Sequence, residues 1–120
     1  MTKITDNIWI GNSDDAGKIQ ILEENEINSI LNCAHDLFGK HGWNNGFHFA
    51  HCGLIDGPGN HISAYWSAAL QLRSLIELGK TVLVHSHKGE SRSVAVVIFH
   101  LEIERGPKGW EHWRKFIRSL

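Results

Sequence analysis

Seven residues with the chemistry of an anion site join two apolar segments in the last third of the chain. Thr81–His85 (TVLVH) is rich in β-branched residues and predicts a buried strand, whereas 93–104 (SVAVVIFHLEIE) is apolar on nearly every side, as a core helix is. The turn between them is Ser86–Arg92 (SHKGESR). A short glycine-containing turn can direct successive backbone N–H groups at one anion, and the N-terminus of the next helix adds a favourable dipole. The sequence therefore predicts a phosphate-binding cradle at this turn.

The side chains at the two ends of the turn differ in what they can do. Arg92 carries a planar guanidinium that can bind two oxygens of one phosphoryl group and follow them into the transition state. Ser86 carries a hydroxyl, which stays protonated and non-nucleophilic unless a base lies beside it. His85 and His87 flank Ser86, but neighbours on so tight a turn are poorly placed to reach its Oγ. A Ser–His nucleophile is therefore the minor alternative, and we expect phosphate esters to bind without being cleaved.

The segment His85–Ser93 (HSHKGESRS) resembles the His-Cys-x-x-Gly-x-x-Arg-Ser/Thr signature of the protein tyrosine phosphatase superfamily, with serine in the place of the cysteine. Its GxSRS ending is typical of the dual-specificity branch. The segment 27–34 (INSILNCA) is similar to an early core strand of that branch, and Leu54–Asp56 followed by Ile62 is similar to its general-acid loop. The resemblance therefore covers most of the chain.

In that family a cysteine thiolate attacks phosphorus, a phosphocysteine forms, and water then cleaves it. The resemblance implies that Ser86 stands at the nucleophile position, that Arg92 binds the phosphoryl oxygens and that Asp56 is the general acid and base. It also implies that Ser93 assists departure of the sulfur and that His85 orders the turn. The phosphate would be held by Arg92 and by the backbone N–H groups of the whole turn, which adds His87, Lys88, Gly89, Glu90 and Ser91.

Serine at position 86 leaves two hypotheses about the function of the chain. Backbone N–H groups and a helix N-terminus can lower a thiol pKa far enough to give a thiolate at neutral pH, but they cannot do so usefully for a hydroxyl. One hypothesis is a dual-specificity protein phosphatase whose cysteine has been replaced, and the other is a natural pseudophosphatase that binds phosphorylated partners. The presence of Asp56, Arg92 and Ser93 favours the first, because a lineage released from catalysis need not retain them. In either case the Ser86 form is expected to be inactive.

The substrate class follows from the size of the domain. A deep phosphotyrosine pocket needs additional wall-forming segments, and 120 residues leave little room for them. A shallow site suits phosphoserine and phosphothreonine as well as phosphotyrosine in a protein substrate, and it would also take a phosphate or sulfate ion. His87 and Lys88 make the turn locally basic, which leaves phosphoinositides and RNA 5′-phosphates as alternatives, while Glu90 argues mildly against highly charged headgroups. No cofactor is expected.

Composition gives no sign of a nucleic-acid or membrane partner. The chain has 12 basic and 13 acidic residues, so its formal net charge is -1 and no global field attracts polyanions. No apolar run approaches the roughly 18 residues of a membrane span, and the first residues lack the layout of a signal peptide. Cys33 and Cys52 both fall in apolar runs and do not make a disulfide framework. These features predict a reducing, cytoplasmic setting.

The elements around the turn predict a single α/β domain over residues 1–120, with a mostly parallel sheet flanked by helices. Besides Thr81–His85, the predicted strands are a hairpin or edge strand at Lys3–Ile10 and two further strands at Asn28–Ala34 and Phe47–Ile55. The predicted helices, besides the core helix, are one from an N-cap at Ser13 to about Glu26, one at His61–Leu78 and one along the Trp110–Leu120 stripe. The longest loop is 36–46.

Several residues have competing interpretations. Asp36 also follows a predicted strand and is the rival of Asp56 for the acid role, and Trp43 could stack on a substrate ring or anchor its loop. His51-Cys52 imitates the start of the phosphatase signature, but Pro58 occupies the position that its arginine would need. Gly79-Lys80-Thr81 imitates the end of a nucleotide-binding P-loop, yet it precedes a strand where it should follow one. The nine histidines show no metal-ligand spacing, and no metal is expected.

Overall fold

The structure of the protein is a computed structural model that describes residues 1–34, 47–57, 59–87, 91–104 and 106. Its strands are, in chain order, β1 (Thr2–Thr5), β2 (Ile8–Gly11), β3 (Ser29–Ala34), β4 (His48–Leu54) and β5 (Val82–His85). Its helices are α1 (Ser13–Gly17), α2 (Ile19–Glu24), α3 (Ile62–Glu77) and α4 (Arg92–Glu104). The predicted α/β class is therefore confirmed.

The strands form one sheet in the order β1-β2-β5-β3-β4. β1 and β2 make the predicted hairpin around Asp6-Asn7 and are antiparallel, whereas β2, β5, β3 and β4 are all parallel. β5 thus lies between two hydrogen-bonded neighbours, and its four residues are all buried. β4 is an edge strand, and its residues from His51 to Leu54 alternate between exposed and buried positions. The carboxyl ends of parallel strands meet at one edge of a sheet, where a site is expected.

Helices cover both faces of the sheet because successive side chains of a strand point to opposite faces. Val82 and Val84 of β5 pack in a cluster with residues of α3 and α4, including the fully buried Phe99. Leu83, between the two valines, packs on the other face with Ala16 and with residues near α2. The predicted flanking of the sheet by helices is thus confirmed, and α4 is buried along most of its length, as its apolar sequence indicated.

The first helical region differs from the single helix predicted from Ser13 to about Glu26. The N-cap is Asn12, whose side-chain oxygen accepts from the amide of Asp15 at 2.9 Å, while the Asp15 carboxylate accepts from the amide of Asn12 at 2.9 Å. Lys18 leaves helical geometry at φ -93° and ψ 69°, directly after Gly17, and divides the region into α1 and α2. Glycine weakens a helix because its backbone loses the most freedom on folding. The prediction of one continuous helix was wrong.

Helix α3 begins after His61, whose ring nitrogen accepts from the amide of Ser63, so the predicted helix is confirmed with slightly shorter bounds. Its buried side chains are those of Tyr65, Ala68, Ala69, Leu72 and Leu75. Trp66 is 39% exposed and lies edge-on to Phe99 at 5.6 Å between ring centroids.

The predicted helix over Trp110–Leu120 and the predicted loop 36–46 lie outside the described residues. Within the part of the chain that the structure describes, no helix combines the length and the apolar character that crossing a membrane would require.

Candidate active site

The turn after β5 sets the nucleophile position at the end of the central strand. Ser86 is 2% exposed, and its Oγ lies 3.2 Å from the Oγ of Ser93 in the first turn of α4. Ser93 is itself fully buried. The sequence paired these two residues only through the family resemblance, in which a hydroxyl at position 93 assists departure of a sulfur at position 86. The hydrogen bond places the two side chains where such assistance would operate.

Arg92 reaches from the start of α4 to the end of β4. Its side chain is buried, with 5% of the residue exposed, and Nη1 donates to the carbonyl of Leu54 at 3.2 Å. A guanidinium has five N–H donors in a fixed plane, so a bond to one of them orients the whole group. A cation so far from bulk water also interacts more strongly with an anion than an exposed cation does.

Asp56 lies beside the turn, although it is 35 positions away from Ser91 in the sequence. The Oγ of Ser91 donates to the Asp56 carboxylate at 3.2 Å. Asp56 is exposed, and Gly57 after it has φ +82°, in the left-handed region that favours glycine. The carboxylate is therefore at the mouth of the site, where it can exchange a proton with a leaving group. Its rival Asp36 lies outside the described residues.

Asn60 positions the loop that carries Asp56, and the sequence analysis missed it. Its side-chain oxygen accepts from the amide of Ile55 at 2.8 Å, and its Nδ2 donates to the carbonyl of Ile55 at 2.6 Å. The same Nδ2 lies 3.2 Å from the hydroxyl of the buried Tyr65. The Asn60 side chain thus binds both backbone groups of the residue before Asp56. The available signal was the known tendency of an asparagine in a Gly-rich turn to bond nearby backbone.

A cavity of about 280 Å³ is lined by Asp56 and Arg92, whereas Ser86 and Ser93 are not among its lining residues. Its lining comes from the acid loop, from α3 and from the start of α4, namely Ile55, Asp56, Gly57, Tyr65, Ser91, Arg92 and Ala95. The structure therefore brings the predicted phosphate-binding arginine and the predicted acid to the same cavity. Apolar walls and two charged groups of opposite sign suit a ligand with an apolar stem and a phosphoryl end.

The remaining predicted cradle residues are only partly described. His85 is buried, and its Nδ1 lies 3.3 Å from the carbonyl of Ser86. Its role in ordering the turn stays a prediction. His87 is exposed. Lys88, Gly89 and Glu90 lie outside the described residues.

The two native thiols do not take over the nucleophile position. Cys33 and Cys52 are free and buried, on the neighbouring strands β3 and β4. Burial raises the pKa of the Cys33 thiol well above its usual value, and the hydrogen bond with Cys52 raises it further, while the Arg92 guanidinium acts weakly in the opposite direction. Since the thiolate is the reactive form, Cys33 is an inert core residue. Among the described residues no cluster of three or more His, Cys, Asp or Glu side chains could hold a metal ion.

This fold is that of the dual-specificity phosphatases. The crystal structure of human DUSP28 superposes with a TM-score of 0.78 over 99% of this chain and 96% of that chain, at 17% identity. The human tyrosine phosphatase-like serine/threonine/tyrosine-interacting protein superposes with a TM-score of 0.74 over 99% and 82%, at 22% identity. The predicted resemblance to this branch of the superfamily is confirmed.

A sequence comparison also finds a similar protein phosphatase. The chain is 28% identical over 99 residues to the protein phosphatase Slingshot of Drosophila melanogaster. The matched part is 81% of this chain but 9% of Slingshot, so the chain spans about a tenth of the length of this curated relative. No family model matches the chain.

Proposed function

We propose that this domain binds the phosphorylated side chains of proteins, as a dual-specificity phosphatase does, and that serine at position 86 prevents turnover. The observation that carries the proposal is a cavity lined by both Arg92 and Asp56. In this assignment Arg92 binds the phosphoryl oxygens, together with backbone N–H groups of residues 87–92, and Asp56 serves the leaving group. Ser86 and Ser93 occupy the positions of the nucleophile and its assisting hydroxyl.

The dimensions of the cavity favour a side chain over a larger headgroup. A volume of about 280 Å³ is at the lower end of pockets that enclose small molecules. One face carries Tyr65 and Ala95, which can contact the stem of a phosphorylated residue. A polyphosphorylated inositol would need further cations, whereas the described lining offers one arginine and also a carboxylate. Phosphorylated serine, threonine and tyrosine are therefore the preferred ligands.

The absence of turnover follows from the surroundings of Ser86. Its hydroxyl bonds to another hydroxyl, that of Ser93, and serine is activated in enzymes by a base rather than by a second alcohol. The ester would therefore bind in the ground state and remain intact. Because Asp56, Arg92 and Ser93 match the family's catalytic residue types, we attribute the expected inactivity to residue 86 alone. The two free cysteines support a reducing, cytoplasmic setting. The proposed domain comprises residues 1–120.

The second candidate is a natural pseudophosphatase that holds phosphorylated partners. The similarity to a human protein described as tyrosine phosphatase-like and interacting favours it. Both candidates share the same ligand and the same cradle. They differ in whether a cysteine at position 86 restores a working enzyme.

The test of the shared function is calorimetric titration with inorganic phosphate, followed by phosphoserine, phosphothreonine and phosphotyrosine peptides. We expect phosphate to bind to the parent chain and Arg92→Lys to weaken binding by about tenfold or more, because a charge-assisted hydrogen bond contributes roughly 1.5–3 kcal/mol. Arg73→Lys is the matched control, since Arg73 is exposed on α3 and pairs with Glu77, one turn along the same helix, at 3.1 Å.

Equal phosphate affinity in the parent and Arg92→Lys would contradict the assigned clamp. Because Arg92 also bonds Leu54, the melting temperature of each variant must be measured to separate lost affinity from lost folding. If inositol phosphates or an RNA 5′-phosphate bound more tightly than the peptides, that class of ligand would replace phosphorylated side chains in the proposal.

A further inference from the structure

The backbone carbonyl of His87, one residue beyond the nucleophile position, is held by two donors from a distant part of the chain. The amide of Ser13 donates to it at 3.2 Å, and the Oγ of Ser13 donates to it at 3.2 Å as well. Ser13 is the first residue of α1 and lies 74 positions before His87 in the sequence. Nothing in the phosphatase signature includes this residue.

The sheet explains why these two residues meet. β2 and β5 are parallel neighbours, and Gly11 at the end of β2 is paired with His85 at the end of β5. Ser13 and His87 are each two residues beyond that pair. The two strands therefore deliver the start of α1 and the start of the cradle to the same place.

The turn that carries Ser13 is itself held firmly. Asn12 and Asp15 bond each other's amides reciprocally at 2.9 Å. At Gly11 an added Cβ would lie 2.6 Å from Oδ2 of Asp15, so a side chain there would displace the carboxylate that caps α1. Both hydrogen bonds to His87 therefore start from a donor whose position is fixed before any ligand binds.

Holding the His87 carbonyl limits rotation of the backbone at His87. His87 is one of the residues whose N–H the proposed function assigns to the phosphate, so its backbone belongs to the anion cradle. The cradle binds an anion through such N–H groups, and a peptide that could rotate freely would have to be oriented when the anion arrives.

We propose that Ser13 is a positioning residue of the phosphate cradle, which it pre-organises through the His87 carbonyl. This inference rests on the proposed phosphate-binding function. Ser13 touches no ligand. Its effect is to lower the free-energy cost of ordering the cradle backbone when the anion binds. Ser13 therefore acts on anion affinity rather than on the fold alone. A purely structural role, in which Ser13 only attaches α1 to the rest of the domain, would lower stability without a selective loss of affinity.

The experiment titrates the full chain with inorganic phosphate and records the melting temperature of each variant. Ser13→Ala removes the hydroxyl donor, and we expect phosphate affinity to fall about three- to tenfold, as for one hydrogen bond. Ser13→Thr keeps a hydroxyl at the same position and should restore affinity to within about twofold. The matched control is Ser63→Ala, which removes a serine from the start of α3 whose hydroxyl bonds His61 at 2.8 Å, and affinity should not change.

The outcomes separate this inference from the function on which it rests. A parent chain without phosphate affinity would overturn both. A parent that binds phosphate together with a Ser13→Ala variant of equal affinity would overturn the positioning role and leave the proposed function intact. The third outcome is a Ser13→Ala variant that loses affinity only in proportion to the fall in its melting temperature, with no rescue by Ser13→Thr. That result would assign Ser13 a structural role and likewise overturn the inference.

Discussion

The two loops that build the candidate site are held in very different ways. The cradle follows β5, a buried strand between two neighbours, and leads into α4, whose first two residues, Arg92 and Ser93, are buried. The acid loop follows the edge strand β4, and Ile55, Asp56 and Gly57 are all exposed. Within the described residues, side-chain hydrogen bonds from Asn60 and Ser91 hold that loop in place.

Phosphate binding and proton transfer place different demands on the two loops. Phosphate binding requires donors fixed in advance, and the centre of a sheet gives them a rigid base. Proton transfer to a leaving group requires contact with the substrate surface, and an exposed loop gives access. A change in the acid loop should therefore alter the chemistry with little effect on stability, whereas a change in the cradle alters the part of the molecule on which the core is built.

The largest effect is expected from Ser86→Cys, which supplies a thiol to a cradle that otherwise has the family's residues. Phosphatase activity should rise by several powers of ten, since loss of a nucleophile costs up to about 10⁶ in turnover. Phosphate affinity should change much less, because the cradle N–H groups and Arg92 remain. The measurement is hydrolysis of an aryl phosphate and of phosphopeptides by the parent and the variant.

The native thiols provide the control for this experiment. The new thiol should react with iodoacetate near neutral pH and be protected by phosphate, because donors that bind an anion also stabilise a thiolate. Cys33, whose pKa is raised by burial, and Cys52, which is 7% exposed, should stay unmodified in the parent. A Ser86→Cys chain that binds phosphate yet stays inert would leave the pseudophosphatase as the function.

The second effect concerns Asp56→Asn in the Ser86→Cys background. General acid catalysis contributes typically 10²–10⁴-fold, so hydrolysis of phosphoserine peptides should fall by about that factor. An activated aryl phosphate should lose much less, because its leaving group departs without a proton. The ratio of the two rates is the measurement. Equal losses on both substrates would transfer the acid role to another residue, and Asp36 is the next candidate.

The same contrast explains what the sequence could predict. The cradle is a local feature, with a strand, a glycine-containing turn and an apolar helix in 24 consecutive positions from Thr81 to Glu104, so its pattern was readable and its strand and helix are confirmed. The contact between Ser86 and Ser93 is also local, because the two residues lie at either end of this turn, although the sequence paired them only through the resemblance. Asp56 could be proposed only through the resemblance, because its proximity to Ser91 depends on how β4 and β5 are arranged in the sheet.

The features that sequence reasoning missed depend on tertiary structure or on a single backbone angle. Ser13 was interpreted as an N-cap, but the cap is Asn12, and the side chain of Ser13 is directed to a carbonyl 74 positions away. The break at Lys18 comes from one residue leaving helical geometry, which a periodic pattern of apolar residues does not record. Asn60 was seen only as part of a turn, since its two bonds to Ile55 require the closed loop.

The smallest effect is expected from Asn60→Ala, which tests whether the acid loop is held by side chains alone. Loss of the two bonds to Ile55 should let Asp56 move from its position at the cavity, and a displacement of about 1 Å can cost up to roughly 100-fold in rate. Because the bond from Ser91 to Asp56 remains, we expect a loss of about tenfold on phosphoserine peptides in the Ser86→Cys background, by analogy with the removal of one or two hydrogen bonds.

In the Asn60→Ala variant, phosphate affinity and the rate of aryl phosphate hydrolysis should stay near the values measured with Asn60 in place, because neither depends on the acid. The matched control is Asn25→Ala, which removes an exposed asparagine whose Nδ2 bonds the carbonyl of Ile21 at 2.8 Å, on α2. If Asn60→Ala instead lowered phosphate affinity as strongly as Arg92→Lys, the two loops would be coupled rather than independent. The division between a fixed cradle and a separately held acid would then be wrong.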